Sequence, residues 1–331
     1  MRSMKLLCLL LVVLLLGGCG QQPQEKQLFA MDTVMTLTVW GEASALTDLQ
    51  QLLQEADSRL SVTNPNSLVS RLNRGETVTP EEHIYALLEN AAQLGEETEG
   101  RLDLCLYPVT RLWGFTTGTY RIPTQEELHK ALSCTGNHRL ILENGTVRLE
   151  AGAQLDLGAV AKGWAGAQCV KLLEEGYQEV TAAILHLGGN IQTYGTKPGK
   201  DPWRIGIQSP TGDGLAGVLE LSGTWAVVTS GGYERYFEEN GKRYCHIIDP
   251  ATGFPVENDL LSVTIVSKEG LQADGLSTAL YVMGLEKAAE FWKQHKDFEA
   301  VFLTAEGAAY VTPGLRSALT LIQGETVVLE G

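Results

Sequence analysis

The chain has 331 residues, 44% of them hydrophobic, with 36 glycines and a formal net charge of −15. That length suits one large domain or two smaller ones, and the glycine content suits a folded globule rich in turns. The acidic balance excludes nonspecific binding to DNA or RNA, which needs a basic face, but leaves room for a local basic site that holds phosphate.

The N-terminus reads as a targeting segment. In "MRSMKLLCLLLVVLLLGGCG", Arg2 and Lys5 precede an apolar run from Leu6 to Leu16. That run is shorter than the roughly 20 residues of a membrane span and has the form of a signal-peptide core. Its ending, Leu16, two glycines and Cys19, resembles a bacterial lipobox. The expected organisation is a lipoprotein signal peptide over 1–18, a tether over 19–27 beginning at a lipidated Cys19, and one domain over 28–331. A plain signal peptide with a chance cysteine is the alternative; the polar "QQPQEKQ" that follows favours the tether. The expected location is outside the cytoplasm, anchored by lipid to the bacterial cell membrane. Cys8 leaves with the signal. Cys105, Cys134, Cys169 and Cys245 remain, with no C-x-x-C pair and no zinc pattern. Export permits disulfides, buried free thiols fit equally well, and spacing does not choose a pairing.

The domain opens with "LFAMDTVMTLTVW", Leu28 to Trp40, whose alternation predicts a strand. "ASALTDLQQLLQEADSRL" has helical spacing, and "SVTNPNSLVSRLNRGE" reads as a loop. "TPEEHIYALLENAAQLGEETEG" predicts a helix capped by Thr79 with Pro80 at its first position. Thr124 and Glu127 form a capping box ahead of "LHKAL". "HRLILENGTVRLE" predicts a hairpin turning at Asn144-Gly145. "LDLGAVAKGWAGAQCVKLLEEG" is a glycine turn running into a helix. "VTAAILHLGGNIQTYG" is a buried strand that ends in Gly188-Gly189. The strands "WRIGIQS", "GVLELSG", "WAVVTSGG", "RYCHIID" and "LSVTIVS" follow, then helices over "ADGLSTALYVMG" and "LEKAAEFWKQH", and strands in "FEAVFLTAEGAAYVT". Strands and helices without strict βαβ alternation point to the α+β class.

Four stretches carry chemistry. In "LDLGAVAKG" a glycine turn lets the backbone approach a ligand, the helix N-terminus offers free N–H groups to an anion, and Lys162 adds charge. The bland reading is a packing glycine beside a surface lysine. The paired glycines of "LHLGGNI" mark a close backbone approach or simply a tight turn. In "ADGLSTALYVMG" a helix places Asp274, Ser277 and Thr278 on one face. These are hard oxygen ligands suited to Mg²⁺; the alternative is an N-capping Asp274 with Ser277 and Thr278 bonded back to the helix. In "YCHIIDPATGFP", His246 is the best general-base candidate, against the alternative of a buried, hydrogen-bonded histidine.

In family order, "MDTVMTL", "LDLCLYPVTRLWGF", "LDLGAVAKG", "LHLGGNI", "VVTSGGYERYF", "RYCHIIDPATGFPV" and "ADGLSTALYVMG" resemble the FAD:protein FMN transferase (ApbE) family. The resemblance spans the whole mature chain and implies an ApbE-type α+β fold of T-fold-like architecture. It implies an enzyme that splits FAD, moves FMN onto a Thr or Ser hydroxyl of an acceptor protein and releases AMP. In the family such acceptors include flavin-carrying subunits of membrane electron-transfer complexes. By the same resemblance, Asp274, Ser277, Thr278 and the carbonyl of Ala159 hold Mg²⁺. Met31, Trp113, Gly114, Phe115, Asp156, Lys162 and Ile248 line the FAD site. The expected catalytic residues are His246 and Asp274; that His246 takes the proton from the acceptor hydroxyl follows from its standing as the best general-base candidate, not from the resemblance. Two positions depart from the family pattern: Asp32 replaces the glycine of Met-Gly-Thr, and Thr63-Asn64 stand where many members place a tyrosine over the nucleotide. Two other readings remain, a Mg²⁺-dependent FAD pyrophosphatase with water as acceptor and a flavin- or solute-binding lipoprotein without turnover.

Overall fold

Apolar residues alternate on both sides of Met31-Asp32, and the chain there folds as a hairpin instead of the single strand expected. Gln24–Ala30 pairs antiparallel with Thr33–Trp40, closed by Ala30 opposite Thr33. Met31 and Asp32 both take positive φ, 49° and 58°, as a two-residue primed turn requires. The first strand begins at Gln24, inside the segment expected to be tether. The computed structural model describes residues 22–331; the expected signal peptide and Cys19 lie outside the described residues. Among the described residues no helix is long and apolar enough to cross a membrane.

This hairpin starts a nine-stranded sheet laid out in chain order: Gln24–Ala30, Thr33–Trp40, Ala182–His186, Asn190–Gly195, Trp225–Gly231, Leu260–Ser267, Glu299–Thr304, Ala308–Val311 and Glu325–Val328. Neighbours are antiparallel except the last pair. The period of two sends alternate side chains to opposite faces. Ala226 and Val228 join the main core beneath the helices, while Val227 joins a second core under the three-stranded sheet that includes Trp203–Gln208 and Leu215–Leu221. The result is three layers of α+β type, as expected.

The helix Gly270–Met283 is buried along most of its length and packs on the sheet and on the helix Ala161–Gly176. A helix apolar nearly all round belongs in a core. Leu276 and Leu280 are each at most 1% exposed, and each such side chain stabilises the fold by about 1.5–3 kcal/mol. The two helices cross at glycines: a Cβ on Gly163 or on Gly270 would strike the other residue's carbonyl oxygen.

Local signals held where the chemistry was local. The Thr124–Glu127 capping box is complete, and Asn144-Gly145 turns the hairpin with φ of 52° and 75°. Thr79 is not a cap: the helix runs Glu82–Glu97 from an N-cap at Glu81. Val78 exchanges both backbone hydrogen bonds with Val147, which keeps the chain extended past Pro80. The expected loop after Ser61 holds a short helix, Leu68–Asn73, capped by the Ser67 side chain. Cys105, Cys134, Cys169 and Cys245 are all free thiols.

Candidate active site

A cavity of about 490 Å³ opens at one end of the sheet, between strand ends and helix termini. Its walls come from the Met31–Thr33 turn, the segment Ser61–Thr63, Phe115, the turn Asp156–Ala159 with Lys162, Gly188-Gly189, Thr229-Ser230, Glu234-Arg235, His246–Ile248, and Asp274 with Thr278. Nine of the residues expected at the site therefore meet here: Met31, Phe115, Asp156, Ala159, Lys162, His246, Ile248, Asp274 and Thr278. Of the six histidines in the chain, His246 alone lines the cavity.

Three expected residues stand behind the wall. Trp113 is fully buried in an aromatic cluster with Phe237, Tyr244 and Phe254, and its Nε1–H donates to the Gly253 carbonyl at 2.7 Å. Gly114 ends the helix Tyr107–Trp113 in the left-handed conformation, φ 86°, where a Cβ would strike the Thr119 carbonyl. Ser277 is fully buried. Its hydroxyl lies 2.8 Å from the Asp274 carbonyl and 2.8 Å from Ser230 Oγ, so it bonds back to its helix and braces Ser230. Asp274 is not an N-cap; it sits in the second turn of Gly270–Met283.

His246 follows the strand Lys242–Cys245. Its backbone N–H donates to the Arg235 carbonyl at 2.9 Å, and its Nδ1 lies 3.1 Å from the same oxygen. A carbonyl only accepts, so the neutral ring carries its proton on Nδ1 and leaves Nε2 as a free base. Burial, then the positive charges of Arg235 and Lys162, push the imidazole down to about 4, which keeps it neutral at pH 7. Ile247 and Ile248, 4% and 3% exposed, anchor the chain just beyond. The turn that follows is closed by Asp249 N–H to the Phe254 carbonyl at 2.8 Å and Val256 N–H to the Ile247 carbonyl at 2.9 Å. The Asp249 carboxylate accepts from Ala251 N–H and pairs with Arg101 at 3.3 Å, so it orients the turn.

Around the turn Asp156–Ala159 the electrostatics are those of a cation and anion site held together. Asp156 accepts from Gly158 N–H at 2.9 Å. Burial pushes its carboxyl up, the Asp32 carboxylate adds to that, and Lys162 and Arg235 oppose it. Asp274 Oδ2 accepts from Gly163 N–H at 2.7 Å, which ties the start of one helix to the middle of another. Burial pushes the Asp274 carboxyl up, against Lys162. Desolvation of the carboxyl likewise pushes Glu234 up to about 7, although the residue as a whole is exposed, with Lys162 opposing and Asp274 adding to it. Glu234, Arg235, Ser230 and Arg101 were missed in the sequence. Only the motif context of "VVTSGGYERYF" pointed near three of them, and nothing in the pattern marked Arg101.

Among the described residues no cluster of three or more His, Cys, Asp or Glu could hold a metal. The oxygen set at Asp274 is of another kind: one buried carboxylate, the Thr278 and Ser230 hydroxyls 3.4 Å apart, and the Ala159 segment lining the same cavity. A carboxylate taken out of water, held by the Gly163 N–H and facing the Lys162 charge, has room for a further cation, and an all-oxygen donor set fits Mg²⁺.

The fold and this cavity define the class of the flavin transferases. The structure superposes on the ApbE protein of Thermotoga maritima with a TM-score of 0.84 at 29% identity, over 90% of this chain and 99% of that one. It superposes on the flavinyl transferase ApbE of Pseudomonas stutzeri, apo form, with a TM-score of 0.80 at 30% identity, over 90% and 96%. A relative from Treponema pallidum named FAD:protein FMN transferase is 31% identical, over 98% of this chain and 96% of its own length. Another of that name from Klebsiella pneumoniae is 32% identical, over 83% and 87%. The ApbE family model matches residues 31–302. The chain belongs to the ApbE family, an enzyme of the FMN-transferring kind that the resemblance in its motifs implied.

Proposed function

We propose that this protein transfers FMN from FAD to a Thr or Ser hydroxyl of an acceptor protein with Mg²⁺ as cofactor, releasing AMP. The observation that carries the reading is the meeting, in one cavity, of a neutral His246 with a free Nε2, Lys162, and a buried Asp274 beside Thr278. Phosphoryl transfer needs an aligned hydroxyl, charge neutralisation and a proton acceptor. Asp274, Thr278 and the Ala159 carbonyl hold the metal, with Ser277 bracing the set from behind. When bound, Mg²⁺ neutralises the pyrophosphate and steadies the leaving AMP. His246 Nε2 takes the proton of the acceptor hydroxyl as that oxygen bonds to the FMN phosphorus and the anhydride P–O bond breaks. Lys162 draws the phosphates toward the helix start, while Met31, Phe115, Asp156 and Ile248 line the FAD cavity; Trp113 and Gly114 support that wall from behind.

Export and lipidation at Cys19 place the domain at the outer face of the cell membrane, beside an acceptor subunit of a membrane electron-transfer complex. The test uses the full-length protein in detergent with FAD, Mg²⁺ and an acceptor protein carrying a flavinylation-type Thr. The expected result is an FMN-sized mass gain on the acceptor with matching AMP, both lost with chelator or in Asp274→Ala. One observation favours a second reading. Thr63, one of the two residues that stand where many family members place a tyrosine, lines the cavity, and its smaller side chain leaves an approach for water. AMP release without any mass gain on the acceptor points to FAD hydrolysis instead.

A further inference from the structure

The turn at Met31-Asp32 is the strained place on the cavity wall. Both residues lie in the left-handed region, φ 49° and 58°, where side chains with a Cβ are disfavoured and glycine is not. The turn has no slack to relax: Ala30 opposite Thr33 fixes a two-residue loop, and Thr33 is pressed against Gly188, where a Cβ would strike Thr33 Oγ1. Asp is among the residues that tolerate this region best, yet a glycine at position 32 would remove what strain its Cβ adds at no cost to the register. The chain instead carries a carboxylate there, and both turn residues line the cavity. Strain kept at a ligand site is a sign that the side chain is used.

Asp32 stands close enough to Asp156 for its charge to be felt by that buried carboxyl. Asp156 has one oxygen committed to Gly158 N–H, and Asp32 has no hydrogen bond or ion pair to a described residue. Two carboxylates therefore share one part of the cavity with the Lys162 and Arg235 charges, which Asp156 also feels. With those cations free to take the phosphates, the unpartnered carboxylate of Asp32, which can only accept, fits a neutral N–H or O–H group.

We infer that Asp32 is a specificity-determining residue, which accepts a hydrogen bond from a neutral donor of the bound dinucleotide: the adenine amino group, a ribose hydroxyl or the isoalloxazine imide N–H. The inference rests on FAD being the substrate and adds the residue that reads its donors.

The test titrates FAD against full-length wild type, Asp32→Gly and Asp32→Asn by flavin fluorescence, with melting temperatures in parallel. Asp32→Gly melts higher, because strain is relieved, yet binds FAD about tenfold more weakly, as loss of a charge-assisted bond predicts. Asp32→Asn, which keeps an acceptor oxygen and tolerates the turn, falls between. Three analogues identify the donor: one lacking the adenine amino group, one lacking the ribose 2′-hydroxyl, and an N3-methyl flavin. One of them binds wild type weakly and binds Asp32→Gly as FAD does. Equal or tighter FAD binding by Asp32→Gly overturns the inference, as does an affinity loss that no analogue reproduces in wild type. Failure of wild type to bind FAD would instead overturn the functional reading beneath it.

Discussion

Gly163 and Asp274, 111 residues apart, are joined by a 2.7 Å hydrogen bond from the backbone N–H of one to the carboxylate of the other. The bond forms because Gly163 and Gly270 let two helices touch backbone to backbone. The packing of the core thus sets where the candidate metal carboxylate stands. A Cβ at Gly163 would also lie 2.6 Å from the Asp274 Cβ, so Gly163→Ala must push the helices apart. Overpacking of this kind costs about 1–3 kcal/mol. The expected outcome is a lower urea midpoint together with weakened Mg²⁺ activation; full activity at a lowered midpoint would separate the packing from the site.

Asp274→Asn tests the carboxylate without removing the bond, because the amide oxygen still accepts from Gly163 N–H. Removing a charge that is 5% exposed leaves stability unchanged or raised. Mg²⁺ raises the melting temperature of wild type by mass action but not of the variant. Transfer falls more than about a hundredfold, since the metal's charge stabilisation is worth several kcal/mol. A variant that keeps its Mg²⁺-dependent melting shift would place the ion elsewhere.

For His246 the sign of the pH effect follows from burial. The folded imidazole is pushed down to about 4 from an ordinary value of 6.5. Between those values the unfolded chain binds a proton that the folded chain refuses, so stability falls as pH drops through the window. His246→Gln should flatten that slope in denaturant titrations from pH 7 to pH 4. Transfer by the variant should fall by roughly 10²–10⁴-fold at pH 7.5, with FAD affinity retained. In wild type the acid limb of kcat/KM attributable to this base lies near pH 4; a limb near 6.5 would show that the imidazole is not desolvated in the working enzyme.

How much of this was legible in the sequence depended on how local the cause was. The Thr124–Glu127 box and the Asn144-Gly145 turn are decided within four residues, and both were readable. The Met31-Asp32 turn is equally short but lacks the glycine that announces such turns, so two strands read as one. Thr79-Pro80 carried the local signal for a helix start and was overruled by a bridge from Val78 to Val147, 69 residues away. At the site, motif order pointed to most of the lining, but depth did not show. Whether Trp113 or Ser277 faces a ligand or stands behind one depends on how separate elements stack. Glu234 and Arg235 lie just past the end of a strand, where charged residues are ordinary, and only the assembled cavity gives them meaning.

Glu234 predicts a pH effect opposite to that of His246. Its carboxyl is pushed from an ordinary 4.5 up to about 7, by local desolvation first, on a residue that is exposed overall. The folded chain therefore keeps a proton that the unfolded chain releases between those values. The resulting stability is fully present below about 4.5 and lost as pH rises to about 7. Glu234→Gln should stabilise the metal-free protein by about 1 kcal/mol at pH 8, a value discounted for the solvent that reaches an open cavity, and should leave it unchanged near pH 4. Denaturant midpoints in chelator at the two pH values measure this; equal differences at both would mean that packing, not charge, controls the site.

Trp113 is predicted to act through the turn it holds. Its indole N–H is the partner of the Gly253 carbonyl at 2.7 Å, and its ring supports Tyr244 and Phe254 on either side of His246. Trp113→Phe keeps an aromatic ring but leaves that carbonyl unpaired, at a cost of about 1–3 kcal/mol. With the Asp249–Phe254 turn loosened, the base shifts relative to the phosphates, and kcat falls more than the affinity for FAD. A residue in direct contact with the flavin would instead lose affinity first. Measuring FAD binding and single-turnover transfer on the same variant separates the two roles.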